Sequence, residues 1–300
     1  MTKLASILIP SNRRPCLMEA LESIRRSRPK TPYEVIVVGE LPEECPPLEA
    51  PMRFLPCENP ATGPMRNAAA AAAKGDLLLF TDSDCIVDAD WVDHAAASCT
   101  PERPVVAGAI RFPEGNAYDC GDNLAIFHAV HVSQKPARAE GWVIGTNNLA
   151  VRRDVFMELG GFDARLCIGD DAEFLHRVEE AGHPVWFDPS FAVRHQSNRT
   201  SAEQIRGHAR WYAEGTSKLL LEGMVAESRW RADRILGRVP GGAAFWSMVK
   251  ATSGLLGIVA FHPPFWRLAK AWPWAWYFLY ARRREMFRRL RERGGKETER

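Results

Sequence analysis

The chain has 300 residues and a mass of 33.6 kDa, enough for one large α/β domain or two smaller ones around a real core. With 46% hydrophobic and 25% charged residues and a mean hydropathy of −0.24, the composition is that of a soluble globular chain and excludes a mainly disordered chain or a fibre. Thirty-nine Lys/Arg against thirty-seven Asp/Glu exclude a bulk nucleic-acid binder, although 282–300 hold nine basic and four acidic residues, a basic tail on a mildly acidic body.

In chain order, 4–9 and 33–38 are short apolar runs rich in β-branched residues, the pattern of buried parallel strands. Between them Pro15 opens a helix over 15–28 with Leu17, Leu21 and Ile24 on one face. A Pro-rich loop leads to a third strand at 52–55, then an alanine-rich helix at 64–74 stopped by Gly75, then a strand at 77–81. This alternation predicts a doubly wound sheet, whose ligands bind at the carboxyl ends of the strands. Further on, strands are predicted at 105–112, 143–151, 185–187 and 191–194, with helices at 91–99, 119–132, 153–159 and 171–181. From about 202 the pattern is helical to the end, with a Pro-Gly-Gly break at 240–242. The seven cysteines are odd in number and form no Cys-x-x-Cys pair, so neither a zinc ribbon nor a disulfide framework is expected, and a reducing compartment fits. The apolar run before Pro10 is too short for a signal peptide, so secretion is not expected.

The strongest local signal is Asp82-Ser83-Asp84, directly after an apolar strand. Two carboxylates at i and i+2 on a strand end can share a hard divalent cation, Mg²⁺ or Mn²⁺, whose shell substrate phosphates complete. The bland alternative is a turn. A second Asp-x-Asp, Asp88-Ala89-Asp90, precedes a helix, where Asp90 at the cap with Asp93 at the third helical position explains it better. Asp170-Asp171 also open a helix, and capping is again the simple account; the sharper one makes Asp171 a general base. His195 is a candidate third metal ligand or phosphate contact, against the commoner role of a satisfied core histidine.

Five segments then fall in one order over roughly 4–196: SILIPSNRRP, GPMRNAAAAAAKGDLLLFTDSD, GTNNLAVRRDVFMELGGFD, GDDAEFLHRV and VRH. Together they resemble glycosyltransferase family 2, of the GT-A class. The resemblance implies an α/β fold with a Rossmann-like mixed sheet flanked by helices and a helical C-terminal extension. It implies a catalytic domain over 1–200, with a nucleotide-binding half at 1–100 and an acceptor half at 101–200, and a helical region over 201–300. It also implies inverting transfer from a nucleotide-sugar donor, by default a UDP-sugar, to a hydroxyl of a glycan or lipid-linked acceptor. Pro10, Ser11, Asn12, Arg13, Glu40, Arg66 and Asp82 would then hold the nucleotide, and Asp84 and His195 the divalent cation. Asp171 would be the base, with Thr146, Asn147 and Asp170 lining the sugar and acceptor side.

Three departures from the family pattern stand out. The second strand ends in Gly39-Glu40 where paired Asp is usual, Asp170 replaces the usual Glu, and Gly207 replaces the Gln of a Gln-x-x-Arg-Trp signature. The last change favours single addition over polymerisation and leaves Arg210 and Trp211 as either acceptor contacts or a helix-packing pair. An apolar stretch at 243–261, followed by Trp266, Trp272, Trp274, Trp276 and the basic tail, favours contact with an anionic membrane surface, on the inner face of the cell membrane for a cytoplasmic protein, over an ordinary helical cap whose aromatics pack on the core and whose arginines are simply solvated. Other nucleotide-handling classes fit poorly, because the loop after the first strand lacks Gly-x-Gly-x-x-Gly. The competing expectation is an inactive sugar-nucleotide-binding or scaffolding protein of the same fold, to which only Gly39-Glu40 points.

Overall fold

The structure, a computed structural model, describes residues 4–113, 116–140, 144–224 and 270–297. The chain forms two compact units, Met1–Phe112 with Ala129–Ser197, and Pro113–His128 with Asn198–Arg300.

The first unit is built on a sheet of nine strands: β1 (Ala5–Asn12), β2 (Tyr33–Glu40), β3 (Met52–Pro56), β4 (Leu77–Thr81), β5 (Cys85–Val87), β6 (Val105–Arg111), β7 (Ala137–Arg138), β8 (Asn148–Arg152) and β9 (Val185–His195). Their order is β3-β2-β1-β4-β8-β6-β9-β5, with β7 on β9. β1 to β4 pair in parallel, as the apolar runs predict, and β8 then inserts antiparallel between β4 and β6. The sheet is therefore mixed rather than doubly wound throughout. Helices α1 (Leu17–Ser27), α2 (Thr62–Ala72), α3 (Trp91–Ser98), α5 (Arg153–Glu158) and α6 (Asp170–Glu180) cover it. α1 buries Leu17, Ala20, Leu21 and Ile24, one face at helical spacing. Every residue of β4 is buried, and behind it Phe80, Phe156, Phe162 and Phe174 form a cluster with ring centroids 5.1 to 5.4 Å apart.

Several boundaries differ from expectation. The strand predicted over 143–151 begins only at Asn148, so Thr146 and Asn147 lie in a turn. The two short strands predicted near 185 and 191 are one strand, β9, whose register with β6 jumps between Gly108 and Ala109. Pro189, which has no N–H to donate, sits in that interruption. Asp90 occupies the N-cap of α3 but makes no side-chain cap; Asp93 instead accepts from the Lys30 and Thr31 N–H groups at 3.0 and 2.8 Å.

The second unit contains α4 (Ala117–Phe127), α7 (Ala202–Leu221) and α8 (Trp272–Glu297), with α8 packed on both others. The helix predicted to run on to 132 ends at Phe127 and tightens into a 3₁₀ turn at His128–Val130. α4 buries Asp122, whose carboxylate accepts from His208 Nδ1 of α7 at 2.9 Å. The stretches 240–242 and 243–261 lie outside the described residues. Among the described residues no helix is long and apolar enough to cross a membrane.

Candidate active site

Strand order 3-2-1-4 changes winding direction between β1 and β4, the place where sheets of this kind bind ligands at the carboxyl ends of their strands. Asp82-Ser83-Asp84 makes the turn there from β4 into β5, closed by the Cys85 N–H donating to the Asp82 carbonyl at 3.1 Å. β5 pairs antiparallel with the end of β9, placing Cys85 opposite His195. Asp84 Oδ1 thereby comes 3.6 Å from His195 Nε2, both side chains nearly buried, and Arg14 Nη1 meets the other carboxylate oxygen at 3.2 Å. A carboxylate oxygen and an imidazole nitrogen this close could both face one cation; the carboxylate suits Mn²⁺ or Mg²⁺, and the imidazole fits Mn²⁺ better than the oxygen-demanding Mg²⁺. Among the described residues no three His, Cys, Asp or Glu side chains gather as a ready-made cage, so substrate oxygens would complete the shell.

Arg66, on α2, is the electrostatic hub. Its side chain is buried, its Nη2 lies 2.6 Å from Asp82 Oδ1, and its Nη1 lies 3.4 Å from Asp170 Oδ2. The two carboxylates hold the guanidinium even further above neutrality than usual, although burial opposes its charge. Arg66 Nε is buried with no protein partner. Gly63, one helical turn earlier, leaves room for Asp170: a Cβ there would come within 3.0 Å of its carboxylate.

Asp170 and Asp171 begin α6, where the helix N-terminus favours negative charge. Burial pushes both carboxyls upward. Asp170 is fully buried and is pulled back by Arg66. Asp171 is half-buried, with one oxygen accepting from the Ala172 N–H at 2.8 Å; burial and the neighbouring Asp170 charge push its carboxyl up to about 7. An acid that changes state near neutrality and keeps contact with solvent is suited to take a proton.

Two contacts that sequence spacing did not reveal hold this arrangement. Asn67 grips the backbone of Phe162 twice, donating to its carbonyl at 2.7 Å and accepting from its N–H at 2.9 Å. Gly161, at φ +71°, must be glycine, because a Cβ would strike Asn67 Oδ1 at 2.6 Å. On α6, Glu173 holds Arg177 at 2.7 Å, and Arg177 donates to the Gly161 carbonyl at 2.6 Å and to that of Leu159. The clasp ties α2, the Gly160-Gly161 turn and α6 into one piece. Asn67→Ala should lower stability by about 1–3 kcal/mol, read by denaturant unfolding, with a matching loss of transfer rate.

At the rim, β1 and β2 end side by side. Pro10 and Ser11 are buried, Asn12 and Arg13 exposed, and Ser11 Oγ donates to the Glu40 carbonyl at 2.7 Å. Glu40 is engaged by Arg13 through a two-point pair at 2.9 and 3.0 Å. Gly39 sits at φ +112° with its Cα against Ser11; a Cβ would come within 2.4 Å of the Ser11 carbonyl, so a side chain is excluded there. On the other flank, Thr81 Oγ1 donates to the Asn147 carbonyl at 3.0 Å, fixing the Thr146-Asn147 turn beside Asp82. Asn147 Nδ2 is buried with no protein partner, a donor whose hydrogen-bonding capacity the protein leaves unused. Asn148 is different: its amide bonds Ala109, Phe191 and Trp91 and is structural. Arg210 and Trp211 belong to the second unit, both exposed on α7, with Trp211 stacked on His208 at 5.7 Å.

The family model described as glycosyltransferase like family 2 matches residues 6–214. The chain belongs to glycosyltransferase family 2. Among similar proteins, the O-antigen biosynthesis protein RfbC of Myxococcus xanthus is 29% identical over 231 residues, 68% of this chain but 18% of RfbC. The glycosyltransferase AglE of Haloferax volcanii is 24% identical over 81% of this chain and 80% of its own length. The chain thus spans about a fifth of one relative and four fifths of the other. In fold, it matches the mannosyltransferase PcManGT from Pyrobaculum calidifontis, solved with GDP-Man and Mn²⁺, at a TM-score of 0.61 and 16% identity over 94% of this chain and 86% of that one. GalNAc-T7, solved with UDP, GalNAc and Mn²⁺, matches at a TM-score of 0.50 and 17% identity over 70% of this chain and 47% of that one. The GT-A architecture expected from the family motifs is the architecture observed.

Proposed function

We propose that the chain transfers a sugar from a nucleoside-diphosphate donor to an acceptor hydroxyl, once per encounter and with inversion. The observation that carries the proposal is the cluster at the ends of the strands, where Asp171 opens α6 beside Asp170 and Arg66 bridges Asp170 to Asp82. Ionised Asp171 takes the acceptor hydroxyl proton while that oxygen bonds to the anomeric carbon. The bond from that carbon to the diphosphate oxygen breaks, and its electron pair leaves with the diphosphate. Asp170 then acts on Asp171 and Arg66 rather than on the sugar, since it is buried against them. Arg66 holds Asp82 in place for the nucleoside, and Asn147 Nδ2 offers a donor to the sugar. Asp84 and His195 would hold the divalent cation, which when bound supplies Lewis-acid stabilisation of the leaving diphosphate.

A UDP-sugar is the default donor from family habit, and a glycan or lipid-linked alcohol the acceptor. Trp211 offers an exposed aromatic face of the kind sugar rings pack on, with Arg210 beside it. Seven scattered cysteines with no Cys-x-x-Cys pair suit a cytoplasmic setting. The binding-only alternative draws on one feature, the Arg13–Glu40 pair, which occupies the carboxylate where the family presents an aspartate.

A thermal-shift panel of UDP, GDP, dTDP and CDP, each with and without Mn²⁺, tests the reading. One nucleotide should raise the midpoint in a Mn²⁺-dependent way, since a ligand of the folded state stabilises it by mass action. Asp84→Asn should remove the Mn²⁺ dependence. No shift with any nucleotide would count against the site, and a shift without donor turnover would favour the binding-only protein.

A further inference from the structure

We propose that the outer face of α8 is a docking surface for an anionic lipid bilayer. Among the described side chains of this helix the exposed positions are Pro273, Trp276, Tyr280, Arg284 and Arg288, a stripe at three- and four-residue spacing. Ala271, Ala275, Phe278 and Met286 are buried on the other side. The helix is thus anchored by one face to its own unit and presents the other outward. The stripe is ordered along its length. Trp276 and Tyr280, each 40% exposed, stack with parallel rings 5.6 Å apart, and the arginines follow one turn on.

Rings with an apolar body and a polar edge settle where hydrocarbon meets headgroup, and a guanidinium fork matches a lipid phosphate. The charge balance points the same way. Over Trp272–Glu297 the sequence carries eight Lys/Arg against three Glu, in a chain whose overall net charge is only +2. Glu285 offsets Arg288 and Arg289 locally, and these two hold its carboxyl down at about 2, so it stays ionised at any membrane pH. In sequence the helix keeps five more basic than acidic residues, and among the described residues Arg284 is the exposed arginine outside that cluster. A stripe half aromatic and half basic is complementary to a surface that is itself apolar beneath and anionic above. Docking stands independently of the transfer reaction; only the corollary that the acceptor is lipid-linked rests on it.

The test is co-sedimentation of the full chain with vesicles of phosphatidylcholine alone or mixed with phosphatidylglycerol. Wild-type protein should partition onto the anionic vesicles, weakly onto the neutral ones, and come off at high salt. Arg284→Glu and the pair Trp276→Ser with Tyr280→Ser should each lower partitioning by about tenfold, while midpoints of unfolding and hydrolysis of soluble donor stay unchanged. Wild-type protein that ignores anionic vesicles, or variants that bind as well as wild type, would overturn the proposal. So would a self-association in solution that these substitutions abolish, which would make the stripe an interface between copies. The salt dependence of the wild type keeps the test decisive even if one variant folds poorly.

Discussion

Asp171→Asn should keep nucleotide affinity and hold or raise the thermal midpoint at neutral pH, where the ionised carboxylate is a cost to the folded state, while slowing sugar transfer by about 10²- to 10⁴-fold, the usual worth of a positioned general base. Asparagine preserves the shape and can still accept from the Ala172 N–H, so α6 has no reason to unwind. What disappears is the group able to accept the acceptor's proton. Because the nucleotide is assigned to other residues, affinity and turnover should separate cleanly in this variant. Calorimetric titration with the nucleoside diphosphate, beside a product assay, reads both. Transfer within a few-fold of wild type would remove Asp171 from the mechanism; a joint loss of binding and turnover would make it structural.

Arg66→Met should lower stability strongly. The guanidinium is buried and faces two carboxylates, Asp82 at 2.6 Å and Asp170 at 3.4 Å. Removing one partner of a buried ionic cluster leaves uncompensated charge, which costs about 3–5 kcal/mol. For a unit of this size that lowers the midpoint by about 6–20 °C. The cost falls mainly on Asp170, the more buried of the two carboxylates, so Asp170→Asn added to Arg66→Met should recover part of it. Differential scanning calorimetry of the two single variants and the double variant measures the coupling. Additive effects would mean that Arg66 and Asp170 do not sense one another.

The legibility of this fold in its sequence differs from element to element. β1, β2 and β4 are near-continuous apolar runs, broken inside only by Ser6 and Glu34, because both of their faces are covered, and such runs announce themselves. Asp82 and Asp84 were legible because they end one of those runs. β5 was not, since Cys85–Val87 is three residues long and exists only by pairing with β9. Arg66 was read as a nucleotide contact from its motif, but its bridging of residues 16 and 104 positions away is a property of the folded sheet. The grip of Asn67 on Phe162 spans 95 residues and was likewise invisible, although the Gly160-Gly161 pair was a signal that a tight turn meets something there. Arg14 sits next to the four residues assigned to the nucleotide loop. Its reach to Asp84 depends on the β1 and β4 ends lying side by side.

The central claim is that a carboxyl held near neutrality does the proton transfer, and the pH profile of donor turnover tests it most directly. Asp171 holds its proton up to about 7 in the folded chain against an ordinary value of 3.8. Between those values the folded state binds more protons than the unfolded one. This group's contribution to stability is therefore largest below about pH 4 and is lost as pH rises to about 7. Activity runs the other way, because only the ionised base can work. For wild type, kcat/KM should rise tenfold per pH unit below about 7 and level off above it. Arg66→Met, if it retains turnover, should move the rise to higher pH, since Arg66 holds the Asp171 carboxyl down. A profile that is flat from pH 5 to 8, in a protein shown to stay folded and nucleotide-bound across that range, would contradict the account.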